Sequence, residues 1–399
     1  MSEVIPAGWH LQPMADIVSV EYGKSPKKVV TDNGPYPVIG TGGVTGYASA
    51  YLHPGNTTVI GRKGTINKPS FLSEKFWAID TTYYVTQYKS TDPKWFYYAL
   101  SSLDLSAFNE ASGVPSLNRE TLYAIPFLSP PLTEQKKIAT ILSSIDDTIE
   151  KTRAQIDKLK DLKTGMMQEL LTQGIGHTEF KDSPVGKIPA SWELRAIGNL
   201  LEFKNGLNKE KEAFGRGSPI INFNDVFHNY GIYLSGLAGK VMLTQSEKKR
   251  FSVQKGDVFF TRTSENPDEI GMSAVLLEDI DDASFSGFVL RGRQITDELE
   301  LFFCKYCFSA DYVRSQIVSS CSYTTRALTN GALLSECFIA VPPKAEQVFI
   351  ASVLDSIINK IHRLGVSFNA VTALKKALMQ DLLTGKVRVK VDSPETVAA

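Results

Sequence analysis

Cationic and amide side chains gather at turns in two parts of the chain. Arg62 and Lys63 stand between glycines with Asn67 and Lys68 close by, and Asn118 and Arg119 follow. Much later come Arg262, Thr263 and Ser264 after an apolar run, then Arg326 and Asn330. Arginine suits the guanine edge, asparagine the adenine edge and lysine the phosphate. Taken singly, each is as readily a solvated loop residue. Their recurrence at matched points of two halves favours recognition of base edges and backbone.

Catalytic constellations are missing. Gly40-Thr41-Gly42-Gly43-Val44-Thr45-Gly46 is glycine-rich, but no lysine follows and no helix is expected to open there, so it reads as a turn rather than a phosphate cradle. Ser129-Pro130-Pro131-Leu132 has the paired prolines of amino-methyltransferases without their amide or acid and without their aromatic. The five histidines contain no His-x3-His pair. Cys304, Cys307, Cys321 and Cys337 lack the second close pair of a zinc ribbon and read as small buried residues. A nuclease would need a carboxylate cluster beside a lysine, and none is convincingly placed.

The elements that position these residues come in duplicate. From Thr133 to about Gly174, apolar residues fall at Ile138, Leu142, Ile145, Ile149, Ile156, Leu159, Met166 and Leu170, with Thr152 and Lys163 in the gaps. Steps of four and three make a heptad seam, and about 40 helical residues reach ~60 Å. At an offset of 212 the seam returns as Ile350, Leu354, Ile357, Ile361, Leu364, Phe368, Val371, Lys375, Leu378 and Leu382. Pro130-Pro131 with Glu134-Gln135 matches Pro342-Pro343 with Glu346-Gln347, and Thr133 is the expected cap of the first rod. Ile5-Pro6-Ala7-Gly8-Trp9 matches Ile188-Pro189-Ala190-Ser191-Trp192 at an offset of 183, so the second globular part has gained about 29 residues. An internal repeat of this kind sets the architecture.

Coarse patterning predicts strands at Thr57–Ile60, Phe76–Ile79, Tyr83–Tyr88, Val258–Thr261, Ala274–Leu277 and Phe288–Leu290, and helices at Pro93–Ser102 and Asp297–Ser319. The expected parts are a globular unit at 1–132, a long helix at 133–174, a linker at 175–187, a second unit at 188–343, a second long helix at 344–387 and a tail at 388–399, disordered beyond Val391. The rods could dimerise between chains, or pair antiparallel within one chain and hold two readers at a fixed spacing. Contacts on one face of a duplex recur about every 34–36 Å, which such a rod could set.

Lysine and arginine total 43, as do aspartate and glutamate, so the net charge is zero. A stand-alone nonspecific nucleic-acid binder is usually far more basic, so partners would have to supply much of the positive surface. The opening residues carry no secretory pattern, no run approaches a membrane span, and four cysteines suit reduced thiols; a cytoplasmic protein is expected.

The Trp9 and Trp192 openings, Pro130-Pro131-Leu132-Thr133-Glu134-Gln135-Lys136-Lys137-Ile138-Ala139, Pro342-Pro343 with Glu346-Gln347, and the Leu170-Leu171-Thr172 and Leu382-Leu383-Thr384 helix endings together resemble the specificity subunits of Type I restriction–modification systems. Val59-Ile60-Gly61-Arg62-Lys63-Gly64 and Trp77-Ala78-Ile79-Asp80-Thr81 are similar to that family's target recognition domains. The likeness spans the whole chain in its duplicated order. It implies an α+β protein: two globular α/β target recognition domains alternating with two long helices that pair as an antiparallel coiled coil, a pseudo-two-fold repeat. It also implies a non-catalytic reader of a bipartite, gapped site in double-stranded DNA. Two modification (methyltransferase) subunits would dock on it and bring restriction subunits. S-adenosylmethionine, ATP and magnesium would then belong to those partners, with no cofactor and no metal in this chain, and with the target adenine flipped out for methylation. The rival from another class is a coiled-coil scaffold that binds proteins.

Overall fold

The computed structural model describes residues 5–391 except 228, 324 and 325. Two compact units emerge, one running to Gln155 and resuming at Leu364, the other spanning Ile156–Arg363.

The first unit opens with β1 (His10–Pro13), α1 (Met14–Ile17), β2 (Val18–Tyr22), β3 (Tyr36–Gly40), β4 (Gly43–Ala48), β5 (Thr57–Gly61), β6 (Ser70–Leu72), β7 (Trp77–Ala78) and β8 (Thr82–Tyr88). It continues with α2 (Pro93–Ser101), α3 (Arg119–Ala124), β9 (Pro126–Ser129) and the start of α4 (Leu132–Thr172). One sheet runs β2-β8-β5-β6 and a second β4-β3-β7, with β3 and β7 parallel. β5 is buried throughout, as expected where a sheet is covered on both faces. β1 pairs with β9, closing the unit. The glycine-rich stretch runs from the end of β3 through the β3–β4 turn into β4.

The second unit repeats this plan with additions. A hairpin of β10 (Phe180–Ser183) and β11 (Gly186–Pro189) precedes β12 (Glu193–Ala196), β13 (Leu201–Asn205), β14 (Phe214–Ile221), α5 (Phe223–Phe227), β15 (Gly231–Ile232), β16 (Lys240–Val241) and α6 (Gln245–Arg250). Next come β17 (Val258–Thr261), β18 (Thr263–Ser264), β19 (Ser273–Leu276), β20 (Ser284–Phe285), β21 (Val289–Gln294), α7 (Asp311–Ser320), β22 (Ser322–Tyr323), β23 (Ala327–Leu328), α8 (Gly331–Glu336), β24 (Phe338–Val341) and α9 (Lys344–Leu383). The central sheet is β13-β21-β17-β19-β15, β14 lies parallel to β20, and β12 pairs with β24. Two glycines mark the shared turn: a Cβ on Gly23 would sit 2.0 Å from the Ile79 carbonyl oxygen, and one on Gly206 2.1 Å from that of Ser286. The offset between equivalents grows from 183 at Gly23 and Gly206 to 200 at Arg62 and Arg262, which places most of the gain in the stretch carrying α5, β15, β16 and α6.

Three readings need correction. Asp297–Ser319 is not one helix. Leu299, Phe303, Cys304, Tyr306, Cys307 and Phe308 are all buried, and five of the six residues from 303 to 308 are more than one face of an amphipathic helix would bury. The segment makes short 3-10 turns instead, Ala310 is extended, and α7 starts at Asp311. Cys304 and Cys307 therefore lie in those turns, not in a helix, as buried thiols. Thr133 does not cap α4, which begins one residue earlier; the Pro131 carbonyl accepts from the Gln135 amide at 3.0 Å. The tail beyond Val391 lies outside the described residues.

Both long helices pair within the chain. In the first unit Arg153 lies 5.3 Å from the Phe368 ring, Lys375 pairs with Asp146 at 2.6 Å, and Arg388 pairs with Glu134. One series rises as the other falls, so the pairing is antiparallel. In the second unit Leu170 and Leu171 share a core with Ile350 and Leu354, again end against start. Ile138, Leu142, Ile350 and Leu354 are fully buried where globular parts cover them. Ile145, Ile149, Ile156, Leu159, Ile357, Ile361, Leu364 and Phe368 are half-buried, as on a seam covered by one partner helix. The two off-pattern lysines reach out to tyrosines of the globular parts, Lys375 over Tyr98 and Lys163 onto the Tyr230 hydroxyl.

The Glu-Gln pairs explain how each helix start is anchored. Trp9 Nε1 donates to Glu134 at 3.3 Å and Trp192 Nε1 to Glu346 at 3.0 Å. Gln135 accepts from the Asp92 amide and donates to the Pro130 carbonyl; Gln347 accepts from the Glu300 amide and donates to the Pro342 carbonyl. The second acceptor oxygen of each glutamate serves the chain just past the other long helix. Arg388 fills it on Glu134, while the Ile175 amide and His177 fill it on Glu346.

Candidate nucleic-acid interface

An arginine follows the central strand in both units, Arg62 after β5 and Arg262 after β17. Each is fixed by its main chain. The Arg62 amide donates to Thr81 at 2.9 Å and its carbonyl accepts from Leu117 at 2.9 Å; the Arg262 amide donates to Phe288 at 3.0 Å and its carbonyl accepts from Thr329 at 3.1 Å. Next after Leu117 and Thr329 stand Asn118 and Asn330, which cap α3 and α8 by accepting from the Thr121 and Leu333 amides. Both arginines have a buried Nε without a partner among the described residues. A strand end, a crossing segment and a capped helix thus form the same frame twice.

The side chains on that frame differ. In the first unit the Arg62 and Arg119 guanidinium carbons lie 5.4 and 5.3 Å from the centre of the Tyr22 ring. Tyr22 rests on Tyr83 at 5.0 Å, and the buried Tyr83 hydroxyl donates to Leu117. Burial first, and then Tyr22, push the Tyr83 hydroxyl above its usual range. Lys63 bridges to Ser116 and is exposed; Asn67 and Lys68 are exposed on the same loop, without side-chain partners among the described residues. Asn118 also donates to Glu110 at 2.5 Å, so its amide is committed at both ends.

In the second unit Asn205 stands where the first has Tyr22, and Arg262 donates instead to the Gly287 carbonyl at 3.3 Å. Thr263 and Ser264 form β18 against β23. Ser264 is buried and its hydroxyl donates to Glu269, which removes it from the exposed set. Arg326 pairs with Glu265 at 3.3 Å, both exposed. These two, with Phe223, Thr263, Ser264 and Phe288, line a cleft of about 210 Å³. A second groove, of about 410 Å³, takes in Lys204, Asn205 and Asn330. Burial, then Arg291, Arg250 and Arg293, lower the Lys204 ammonium from its ordinary value, which marks a crowded positive edge.

The sequence motifs did not point to Tyr22, Phe288 or Lys204. The aligned Gly23 and Gly206 turns were the available signal, since they put Tyr22 and Asn205 at one position. No group of three or more His, Cys, Asp or Glu suited to a metal occurs among the described residues.

Residues 6–161 and 189–366 match the family model described as the Type I restriction modification DNA specificity domain. The Type I restriction enzyme MjaVIII specificity subunit of Methanocaldococcus jannaschii is 26% identical, with 97% of this chain and 94% of that protein covered. The putative type I restriction enzyme MjaX specificity subunit of the same organism is 31% identical over 69% of this chain and 62% of its own. In fold, the chain is similar to the crystal structure of a Type I restriction-modification S subunit from M. genitalium, with a TM-score of 0.65, 16% identity and coverage of 96% and 98%.

Proposed function

This chain belongs to the Type I restriction modification DNA specificity family, and from that premise we propose that each unit reads one half of a bipartite, gapped sequence in double-stranded DNA. The chain is a recognition subunit and not itself an enzyme. The observation that carries the reading of the site is the twofold frame around Arg62 and Arg262. It presents a cation, held by main-chain bonds on both sides, at the same point of two different side-chain settings. That is the arrangement expected of one scaffold reading two different half-sites.

We assign the base and backbone contacts to Arg62, Lys63, Asn67, Lys68 and Arg119 in the first unit and to Arg262, Thr263 and Arg326 in the second. Asn118, Asn330 and Ser264 shape those surfaces. Two modification subunits dock on the paired helices and restriction subunits join through them. S-adenosylmethionine, ATP and magnesium serve those partners. The complex works in the cytoplasm; no described helix is long and apolar enough to cross a membrane.

Co-expression with the modification subunit, followed by sequencing of modified host adenines, tests the reading. A gapped motif with two defined halves is expected. A formed complex that methylates nothing, with affinity for duplex DNA independent of salt, would favour the scaffold role instead. The helices act as the spacer. A matched seven-residue insertion, after Gln155 in α4 and before Leu364 in α9, keeps the seam in register and adds ~10.5 Å. The gap should lengthen by about three base pairs at ~3.4 Å each, with the half-site letters intact. Full activity with the original gap would remove the ruler.

A further inference from the structure

We propose that Tyr22 determines specificity in the first unit. Its ring holds Arg62 and Arg119 as one recognition element for a G·C pair and the phosphate beside it. The proposal rests on the reading of this unit as a DNA reader.

Two guanidinium groups lie within 5.4 Å of one ring centre, and neither has a carboxylate partner among the described residues. Like charges brought together without a counter-ion repel, and the ring's electron-rich face only partly offsets that. The layer is electrostatically incomplete until an anion or an acceptor-rich edge arrives. A guanine edge offers O6 and N7 to one arginine, and the adjoining phosphate serves the other. The division of labour follows from anchoring. Arg62 is fixed by hydrogen bonds at its own amide and carbonyl, so it is the base reader. Arg119 is exposed and follows the capping Asn118, so it takes the backbone.

Tyr22 is the residue that brings them together. It pairs across the sheet with Tyr83, whose ring supports it and whose hydroxyl donates to the same Leu117 that bonds the Arg62 carbonyl. Tyr22 is itself 42% exposed, too open to be a core residue. The second unit has Asn205 there and no such layer among the described residues, so the device belongs to one half-site only.

The test uses the full chain co-expressed with its modification subunit. Methylated adenines are mapped in the host genome for the wild type and for Tyr22→Phe, Tyr22→Leu and Tyr22→Ala. Tyr22→Phe keeps the ring and should leave the motif unchanged. Tyr22→Leu keeps bulk on Tyr83 but removes the ring face. It and Tyr22→Ala should relax one G·C position of one half-site. On duplexes carrying the wild-type motif or its single-base variant, the preference should fall roughly tenfold to a hundredfold. The other half-site should stay intact. Arg119→Gln should instead lower the salt slope of binding by about one and leave the letters alone. A wild-type complex without a gapped motif overturns the underlying reading, and this proposal with it. A wild-type motif that persists unchanged in Tyr22→Leu overturns this proposal alone. So does complete loss of methylation in Tyr22→Leu, which would mean that Tyr22 only supports the fold.

Discussion

The two proposed recognition faces share their main chain and almost none of their side chains. Arg62 and Arg262 are fixed by the same pair of main-chain bonds and face the same capped helix. Yet one lies on an aromatic ring beside a second arginine, and the other donates to a carbonyl near a groove lined by Lys204, Asn205 and Asn330. The bonds that define the frame come from amides and carbonyls, which every residue carries apart from proline's missing N–H. Side chains can therefore change around them at little cost to the fold. The insertions obey the same rule: α5, β15 and α6 enlarge the second unit without displacing β13, β17 and β21 from their pairing.

The hardest way to break the comparison is at the anchors. Trp9 and Trp192 are buried, at 4% and 0% exposure, and each donates to the glutamate that opens a long helix. Trp9→Ala and Trp192→Ala should each destabilise by about 3–5 kcal/mol. Hydrogen exchange should show the loss of protection concentrated in the unit that carries the substitution. Equal loss in both would mean that the units unfold as one.

A smaller and more selective effect is expected at the arginines. Arg62→Ala should weaken discrimination at one half-site by about 1–3 kcal/mol, and Arg262→Ala at the other. Competition binding of the co-expressed complex to duplexes with one altered half-site would measure each separately. Uniform weakening on unrelated sequences would reassign that arginine to a phosphate.

What the sequence disclosed follows from what repeats preserve. The seam from Ile138 to Leu159 and its copy from Ile350 to Val371 were legible because heptad spacing is a property of the chain itself. The Glu-Gln pairs stood out as duplicated letters, though their hydrogen bonds to tryptophan and to the preceding proline did not. Arg62 and Arg262 stood out by their matched places in the two halves, and the structure puts them at equivalent strand ends. Asn118 and Asn330 were also matched, but their shared feature is a helix cap, and sequence alone does not separate a cap from a base contact. Tyr22 escaped notice because its importance lies in what crosses the sheet to reach it. The Asp297–Ser319 segment misled because a run of buried residues carries no period to choose between a helix and successive turns.

The mildest test concerns α6, which among the described residues has no counterpart in the first unit. Thr244 caps it, and Glu247 closes the capping box while pairing with Lys209 at 2.8 Å. Lys209 first, then the Thr244 amide and hydroxyl, bring the Glu247 carboxyl down from 4.5 to about 2. A carboxyl held lower in the folded state binds its proton more weakly there than in the unfolded chain. Its contribution is therefore complete above about pH 4.5 and disappears as the pH falls from there towards 2. Because Glu247 lies at the surface, partly exposed, the effect should be small and confined to this helix. Amide exchange at Phe251, whose N–H donates to the Glu247 carbonyl at 2.8 Å, should quicken over that range relative to amides of β17. Thr244→Ala should flatten the pH dependence by removing two of the bonds that hold the carboxyl and the helix start together. If Phe251 and β17 respond alike, acid is loosening the whole unit, and α6 is not the separately attached addition that its absence from the first unit suggests.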